Sequence, residues 1–386
     1  MTLSCWQQDL AEPMSWQGDV AIVGAGIAGL SLAYWLKELA PELSVAILEA
    51  QDVGAGASGR NAGFNTAGST FYLAQLAQKY GESHAEAYWD FKQESLRLMR
   101  EQLFSRLRVS HDLWGSTTLY RNSGEYQLHR ELVTRLSRSA PLVVSAEQLL
   151  QQGLGGFCGG LNFAHEGRVH SMGLLQAMRA ELIERGVHIY TQQAVGWGEA
   201  LSDAVALHCA RGKATAQHVF LALNGYAARF HPELANWVVP KRAQMVALAS
   251  GEWRLPGNFY DPAHKVYFRQ APELTSAPLL IGGMRLLDEM AENTESDHVS
   301  PVIQQALQDY GERILGYKAP VLGRWSGTMG FTPEEKPYVR AVPFLKHTTF
   351  VGGFSGHGMG VAFGTAQLAV LRFLGRSDAK NSILPC

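Results

Sequence analysis

Short apolar runs alternate along this chain with longer segments in which apolar residues recur every three or four positions. The first run is DVAIV (19–23), and a second is SVAILEA (44–50). The segment between them, GAGIAGLSLAYWLKELA, has the longer spacing. Apolar runs predict buried strands, and a spacing of three or four predicts a helix. Residues 19–50 therefore predict a strand–helix–strand unit.

The same two patterns predict helices and strands through the rest of the chain. Residues 85–108 keep helical spacing without a break and predict one long amphipathic helix. Further helices are predicted at 172–185 and 302–315, and strands at 187–192, within 203–223 and through 240–290, most clearly in KVYFR (265–269) and LLIGG (279–283). Residues 348–374 predict a strand, a glycine-rich turn and a helix.

The composition is that of a globular enzyme and argues against several functional classes. Of the 386 residues, 46% are hydrophobic and 18% are charged, and the net charge is −2. This balance argues against nucleic-acid binding. The cysteines are widely separated, so we expect neither a disulfide framework nor a metal site; they are Cys5, Cys158, Cys209 and Cys386. We see no signal-peptide pattern and no apolar membrane span, and we expect a cytoplasmic protein.

Three glycines follow the first predicted strand and open the predicted helix in the order GxGxxG. Gly24 permits a tight turn, Gly26 lets a pyrophosphate approach the backbone, and Gly29 lets the helix pack against the strand. Ile27 and Ala28 lie at the start of the helix, where free N–H groups bind phosphate. This arrangement predicts a dinucleotide-binding site, although an isolated glycine motif also occurs in ordinary turns.

Glu49 and Ala50 end the second predicted strand and narrow the choice of nucleotide. An acidic residue at this position hydrogen-bonds ribose hydroxyls and repels the 2′-phosphate of NADP. It does not distinguish NAD from FAD, because both contain the same adenosine diphosphate half.

Three segments together resemble a known family. They are DVAIVGAGIAGLSLAYWL, GASGRNAGF (56–64) and FVGGFSGHGMGVAFGTAQLA near the carboxyl terminus. They are similar to the D-amino-acid-oxidase-like FAD-dependent oxidoreductases, in particular to the branch that contains glycine oxidase, sarcosine oxidase and γ-glutamylputrescine oxidase. The resemblance implies bound FAD, with the segment 56–64, which we call the cradle, beneath the flavin end.

The chemistry of the cradle agrees with that implied position. Its small residues let backbone N–H groups approach the pyrophosphate and the flavin edge closely. Ser58 can donate to a phosphate oxygen, Arg60 can neutralise phosphate charge or position the loop, and Asn61 offers a donor and an acceptor. The alternative is a flexible surface loop with a solvated arginine. The expected FAD contacts here are Ala57, Ser58, Arg60, Asn61, Ala62, Gly63 and Phe64.

The carboxyl-terminal segment GGFSGHGMG (352–360), which we call the flavin turn, lies between a predicted strand and a predicted helix. A helix N-terminus aimed at the flavin stabilises negative charge on it, and His357 adds a positive charge or a hydrogen bond. His357 as a simple helix cap is the alternative. The expected FAD contacts here are Gly353, Gly356, His357, Gly358, Met359 and Gly360. The resemblance also implies contacts from Val195, Asn224 and Gly225, although Val195 also suits an ordinary core position.

The sequence departs from the family pattern at positions that hold the flavin and the substrate. Residues 325–340 contain no cysteine, so we expect FAD to be bound without a covalent bond. Met329 stands where glycine oxidase has a carboxylate-binding arginine, and Gly360 stands where sarcosine oxidase has a lysine. The substrate therefore lacks an α-carboxylate, or another arginine binds it.

Candidates for substrate contact remain among the arginines and aromatic residues. We consider His357, Arg285, Arg269, Tyr267 and Met329 as the catalytic set. Arg324 is a further candidate clamp, and Trp114 and Trp325 are candidate walls of an amine pocket. For each of them an ordinary structural role is the alternative.

We expect an α/β fold in which a Rossmann-type FAD-binding domain is interleaved with a substrate domain built on a mixed or antiparallel sheet. The FAD-binding domain is predicted from 1–75, 165–230 and 335–386, and the substrate domain from 76–164 and 231–334. The expected activity is oxidation of a small amine or amino acid by hydride transfer to flavin N5, with imine hydrolysis and reoxidation by O2 to H2O2. The alternatives are a dehydrogenase that uses another electron acceptor, a flavoprotein subunit of a larger complex, and the oxidase half of a tRNA-modifying enzyme.

Overall fold

The computed structural model describes residues 14–137, 140–376 and residue 384, so Cys5 and Cys386 lie outside the described residues. The strands are β1 (Met14–Val23), β2 (Val45–Leu48), β3 (Phe64–Asn65), β4 (His111–Asp112), β5 (Ser116–Tyr120), β6 (Leu142–Ser145), β7 (Gly159–Phe163), β8 (Gly167–Val169), β9 (His188–Tyr190), β10 (Val195–Ala200), β11 (Val205–Cys209), β12 (Gly212–Leu221), β13 (Val239–Leu248), β14 (Asn258–Asp261), β15 (Val266–Gln270), β16 (Leu279–Gly283), β17 (Val321–Phe331), β18 (Tyr338–Ala341) and β19 (Thr348–Gly352).

The α-helices are α1 (Ile27–Leu39), α2 (Thr70–Tyr80), α3 (Glu82–Leu98), α4 (Ser105–Leu107), α5 (Ser123–Leu136), α6 (Ala146–Gln151), α7 (Ser171–Glu184), α8 (Pro301–Leu315) and α9 (Gly358–Phe373). A π-helix covers Met99–Phe104, and 3₁₀ turns cover Ala57–Gly59, Asn224–Arg229, Pro232–Asn236 and Arg285–Asp288.

The first sheet has a parallel centre in the order β9–β2–β1–β12–β19. β11 and β10 add an antiparallel edge, and β18 pairs antiparallel with β19. β1 extends further toward the amino terminus than predicted, because β12 pairs with it from Met14 to Val23. In open parallel sheets, ligands bind beyond the carboxyl ends of the strands. Those ends are followed here by Gly24, Glu49, Asn224 and Gly353.

Helices α1 and α9 cover one face of this sheet and pack against each other. The Trp35 indole N–H donates to the Phe363 carbonyl at 3.0 Å, and the two rings lie 4.9 Å apart. Both side chains are buried, with Leu30 and Ile22 in the same core cluster. This packing fixes the N-termini of α1 and α9 relative to each other.

The predicted helix 85–108 is present but is not one uniform α-helix. It runs as α3, continues through the π-helix, and ends with α4. It packs on α9, where the Gly364 N–H donates to Ser95 Oγ at 3.0 Å. The domain boundaries stay a prediction, and this contact argues for counting the helix with the first sheet.

The second sheet has the order β17–β13–β16–β15–β14–β5–β7–β6. β14 and β5 are parallel and the other pairs are antiparallel, so the prediction of an α/β fold with a second, mixed sheet is confirmed. One face packs on α8, with Val246, Phe268, Ile281 and Leu307 in one core cluster. The other face is turned toward the cradle, and a small third sheet, β3–β8–β4, holds the end of the cradle.

Across residues 14–137, 140–376 and 384, no helix combines the length and the apolar character needed to cross a membrane. The same residues contain no group of three or more His, Cys, Asp or Glu side chains that could hold a metal ion.

Candidate functional site

The glycine-rich turn closes tightly over the end of β1. Gly24 has φ +108°, and a Cβ atom added there would lie 2.7 Å from the Ala222 carbonyl oxygen. A Cβ atom on Gly29 would lie 1.9 Å from the Gly24 carbonyl oxygen. Only glycine fits these two positions, because both neighbours are backbone atoms. α1 starts at Ile27, so its first N–H groups and the positive end of its dipole face the turn.

The Glu49 carboxylate is held beside this turn by two backbone donors. Its Oε2 accepts from the Ala25 N–H and its Oε1 from the Gln51 N–H, both at 2.8 Å. An ionised carboxylate has about four lone-pair sites, so each oxygen can accept a further bond. The pair of oxygens therefore suits ribose hydroxyls, as the sequence predicts.

Ala50 and Val195 lie at the expected adenine end of the site. Ala50 is exposed next to Glu49, whose carbonyl oxygen accepts from the Gln193 N–H at 2.8 Å. This bond brings the start of β10 close to Glu49. Val195 also packs against the core of the first sheet, so both its predicted role and its alternative remain compatible with its position.

The cradle folds directly onto the N-terminus of α1. Ser58 Oγ accepts from the Ile27 N–H at 2.9 Å and keeps its own proton for a phosphate oxygen. Asn61 Nδ2 donates to the Ala57 and Ser58 carbonyls at 3.1 and 2.6 Å, and its Oδ1 accepts from the Gly63 N–H at 2.6 Å. Asn61 thus uses its donor and acceptor groups to shape the cradle itself.

Arg60 links the cradle to the second sheet. Its Nε donates to the Ala55 carbonyl at 2.8 Å, and its Nη1 contacts Asp297 at 3.2 Å and the Ser326 carbonyl at 3.3 Å. The Trp325 indole N–H donates to the Arg60 carbonyl at 2.9 Å. Of the two roles that the sequence leaves open for Arg60, these contacts support positioning of the loop.

The flavin turn meets the Asn224–Gly225 turn at the end of β12. Asn224 Oδ1 accepts from the Gly353 N–H at 3.0 Å. A Cβ atom on Gly225 would lie 2.7 Å from the Met329 carbonyl oxygen, and one on Gly360 would lie 2.1 Å from the Thr66 carbonyl oxygen. The Asn224–Gly225 turn is therefore in close contact with β17, and the flavin turn is in close contact with Thr66, two residues after the cradle.

The remaining predicted contacts of the flavin turn follow its path into α9. Gly356 has φ +85°, which favours glycine, and Gly358 is the first residue of α9. Met359 is buried in the core under the sheet. Its predicted contact with FAD is therefore one that its backbone, rather than its side chain, can make.

His357 occupies the N-cap position of α9, but its side chain makes no capping hydrogen bond, and its ring is packed on one side. The Tyr72 ring lies 4.3 Å from it, and its Nδ1 lies 3.1 Å from the Ser355 carbonyl oxygen. Burial and the charge of Lys92 hold the pKa of His357 well below its ordinary value, against the opposing bond to Ser355. His357 is therefore neutral near pH 7, which supports a hydrogen-bonding role rather than a positive charge.

Met329 faces the flavin turn together with Phe331, two residues further along the same face of β17. A Cβ atom on Gly356 would lie 3.7 Å from Met329 Sδ and 3.9 Å from Phe331 Cζ. Lys241 Nζ lies 4.9 Å and Arg285 Cζ 5.6 Å from the centre of the Phe331 ring. Two cations thus lie beside an aromatic ring at the edge of the turn.

The arginine candidates occupy different surroundings. Arg269 is buried; it donates to the Ala62 carbonyl and pairs with Glu273 at 2.5 Å. Arg324 lies on the α8 side, where it donates to the Gln304 carbonyl at 3.1 Å. Arg285 has one long contact, with Glu289 at 3.4 Å. Arg269 therefore supports the cradle, which differs from the predicted clamp, and Arg285 is the candidate with free donor capacity.

The aromatic candidates also lie in different surroundings. The Tyr267 ring packs edge-on against Phe64 of the cradle at 6.0 Å, and burial raises its pKa to about 12. The Trp325 indole N–H donates to the carbonyl oxygen of Arg60 in the cradle. Trp114 is 59% exposed and lies under Arg168 instead, so it does not belong to this group.

Sequence reasoning missed Lys241 and Phe331. The available signal was strand alternation: Phe331 follows Met329 by two residues, and Lys241 is the register partner of Met329 on β13. Residues on one face of paired strands lie side by side.

Comparison with known proteins identifies the family. Residues 19–372 match the DAO family, described as FAD dependent oxidoreductase. This chain belongs to that family. It is an FAD-dependent oxidoreductase, and the prediction of FAD as cofactor is confirmed.

The sequence identity to individual relatives is low. The chain is 26% identical over 381 residues to "Probable oxidoreductase OrdL" of Rhizobium meliloti, covering 95% of this chain and 85% of that one. It is 24% identical over 352 residues to γ-glutamylputrescine oxidoreductase of Escherichia coli, covering 88% and 80%. Among solved structures, glycine oxidase from Geobacillus kaustophilus matches with a TM-score of 0.78 at 19% identity, covering 94% of this chain and 96% of that one. This likeness shows the two-domain fold.

The residues at the strand ends fit FAD, and we propose where each part binds. Gly24 and Gly29 give the turn no side chains of its own, so the pyrophosphate can lie at the α1 N-terminus beside the Ser58 hydroxyl. The Glu49 oxygens suit the ribose, and the cradle and the flavin turn suit the flavin. We also propose that FAD is bound without a covalent bond.

Proposed function

We propose that this FAD-dependent oxidoreductase oxidises the C–N bond of a small amine or amino acid and uses O2 as its final electron acceptor. The observation that carries the proposal is that the flavin turn lies against Thr66, two residues after the cradle, through Gly360 and faces Met329 and Phe331 of β17 through Gly356. The names of γ-glutamylputrescine oxidoreductase and glycine oxidase support an amine or amino-acid substrate.

The protein residues contribute orientation and electrostatics. FAD, when bound, supplies the acceptor for the hydride that leaves the carbon next to the amine nitrogen. The N-terminus of α9 stabilises negative charge that develops at the flavin turn, and neutral His357 contributes a hydrogen bond. The second sheet limits access of water. The oxidised substrate, an imine, is hydrolysed, so that amine, O2 and water give a carbonyl compound, ammonia or a smaller amine, and H2O2.

Arg285 and Lys241 provide the positive charge that binds an acidic group of the substrate. Both cations lie beside the Phe331 ring, whereas the Met329 side chain lies against Gly356 of the flavin turn. This arrangement favours a substrate whose carboxylate lies away from the reacting C–N bond.

Substitution of Arg285 tests this anchoring. Arg285→Met is expected to raise the KM for carboxylate-bearing amines about 10- to 100-fold, because a hydrogen bond to a charged group contributes roughly 1.5–3 kcal/mol. Amines without a carboxylate should keep their KM. The matched control is Arg324→Met on the α8 side, which should leave both values unchanged. Equal effects of the two substitutions would exclude Arg285 as the anchor.

Measurement of hydrogen peroxide tests the acceptor. Purified holoprotein is mixed in air with glycine, sarcosine, D-amino acids, proline and polyamine derivatives that lack a carboxylate. One substrate class is expected to yield one H2O2 for each amine consumed. Amine oxidation that reduces an artificial dye but yields no peroxide would support the alternative dehydrogenase and contradict O2 as the acceptor.

A further inference from the structure

Lys92 is a buried amine directly behind the flavin turn that the proposed chemistry does not use. It lies on α3 and has no exposed surface. Among the described residues, its Nζ has no hydrogen-bond partner. An unsatisfied buried donor is rare in folded proteins and often marks a functional group.

Aromatic rings connect Lys92 to the turn. Its Nζ lies 4.2 Å from the centre of the Tyr72 ring and 5.2 Å from that of Tyr88. The Tyr72 ring in turn lies 4.3 Å from the ring of His357. The Tyr72 ring therefore lies between the Lys92 amine and His357, the N-cap residue of α9.

Several ionisable groups surround Lys92 on the elements packed against it. Glu166, in the turn before β8, is buried and accepts from the Ala67 N–H at 2.9 Å and from the Thr66 hydroxyl. Glu335 also attracts the Lys92 ammonium, and the charge of that ammonium lowers the pKa of His357. Lys336 Nζ also lies in this group, 5.1 Å from the centre of the Tyr88 ring.

The surroundings hold the pKa of Lys92 near neutral pH. Burial lowers the pKa of the Lys92 ammonium to about 7, against the opposing charges of Glu166 and Glu335. Burial also raises the pKa of Glu166 to about 7, against its hydrogen bonds from Thr66 and Ala67. A small change in nearby charge therefore changes the proton occupancy of Lys92.

We propose that Lys92 is a charge-compensating residue, which takes up a proton when negative charge develops at the flavin turn. The substrate carbon delivers two electrons and one proton to the flavin as hydride, which adds one negative charge. The Lys92 amine then binds a proton from solvent and becomes an ammonium ion, so the net charge behind the turn is restored. Lys92 itself is neither oxidised nor reduced. This inference rests on the proposed position of the flavin at the turn, but not on the identity of the substrate.

The test is the number of protons taken up for each electron pair. The midpoint potential of the bound flavin is measured between pH 7.5 and 10, where N1 of the reduced flavin is deprotonated, with dithionite as reductant so that no amine is needed. Wild type is expected to take up two protons per electron pair over an interval above about pH 7 and one proton at higher pH. Lys92→Met and Lys92→Arg should take up one throughout, because the first has no amine and the second stays charged.

Lys336→Met is the matched control, because it removes a second buried lysine, whose Nζ lies 5.1 Å from the centre of the same Tyr88 ring. It should keep the two-proton interval. Retention of the interval in both Lys92 variants, or its loss in Lys336→Met alone, would overturn the proposal. If neither Lys92 variant retains FAD, the wild-type count alone decides, since one proton throughout would also overturn it. Because the reductant is chemical, a failure of amine oxidation leaves this result interpretable.

Discussion

Gly29→Ala is expected to cause the largest loss of FAD binding of any single substitution in the glycine motif. The added Cβ atom would lie 1.9 Å from the Gly24 carbonyl oxygen, and this neighbour is backbone, so the turn or α1 has to shift. Overpacking of this kind costs about 1–3 kcal/mol or more. A shift of the turn also misplaces the α1 N-terminus, so we expect at least a tenfold lower FAD affinity, roughly 1.4 kcal/mol. FAD retained after purification and the melting temperature measure the effect.

A graded series controls for the introduction of a methyl group. Gly26→Ala should lower the melting temperature less, because the added atom meets only the end of the Ser58 side chain, at 2.9 Å. Gly155 lies outside the motif, and a Cβ atom added there would make only an ordinary van der Waals contact with Leu150, at 3.7 Å. Gly155→Ala should therefore retain wild-type FAD content. Wild-type FAD content in Gly29→Ala would contradict the role of the tight turn. FAD that stays with the denatured protein in any of these samples would contradict binding without a covalent bond.

Glu49→Gln is expected to lower FAD affinity about 10- to 100-fold, since a hydrogen bond to a charged group contributes roughly 1.5–3 kcal/mol. The substitution keeps the size of the side chain but replaces one acceptor oxygen with an amide donor. That donor would face the N–H of Ala25 or Gln51, or a ribose hydroxyl. Titration of apoprotein with FAD, followed by quenching of flavin fluorescence, measures the change.

Glu42→Gln is the matched control for Glu49→Gln. Glu42 is an exposed carboxylate in the turn before β2, away from the glycine motif. This variant should bind FAD like wild type. Equal affinities in the two variants would exclude Glu49 as a ribose ligand and would leave it a purely structural role beside the turn.

The cofactor end of the site was predictable from sequence because local backbone requirements determine it. Gly24 lies in a tight turn, Gly29 packs closely against backbone, and Glu49 accepts backbone hydrogen bonds at a strand end. Each of these positions restricts the residue type. The strand-end rule then places them together with Asn224 and Gly353. The α/β fold and the mixed second sheet follow from the periodicity of the apolar residues.

The substrate end was less predictable because it depends on pairing between distant strands. Arg269 and Arg285 look alike in sequence, yet one is buried with Glu273 and the other lies beside Phe331. The register of β13 against β17, which brings Lys241 beside Met329, is a tertiary property. Lys92 has the spacing of an ordinary charged residue on an amphipathic helix. Its burial arises from tertiary packing, which places the Tyr72 ring of α2 over its amine.

The central claim is that a small amine reduces FAD bound at the edge of the first sheet, and anaerobic bleaching of the visible flavin band tests it most directly. The panel contains glycine, sarcosine, D-amino acids, proline and polyamine derivatives without a carboxylate. We expect at least one class to bleach the band in wild type, and Arg285→Met to slow bleaching only by amines that carry a carboxylate. Full retention of the oxidised band with every amine, in protein shown to contain FAD, would contradict amine oxidation.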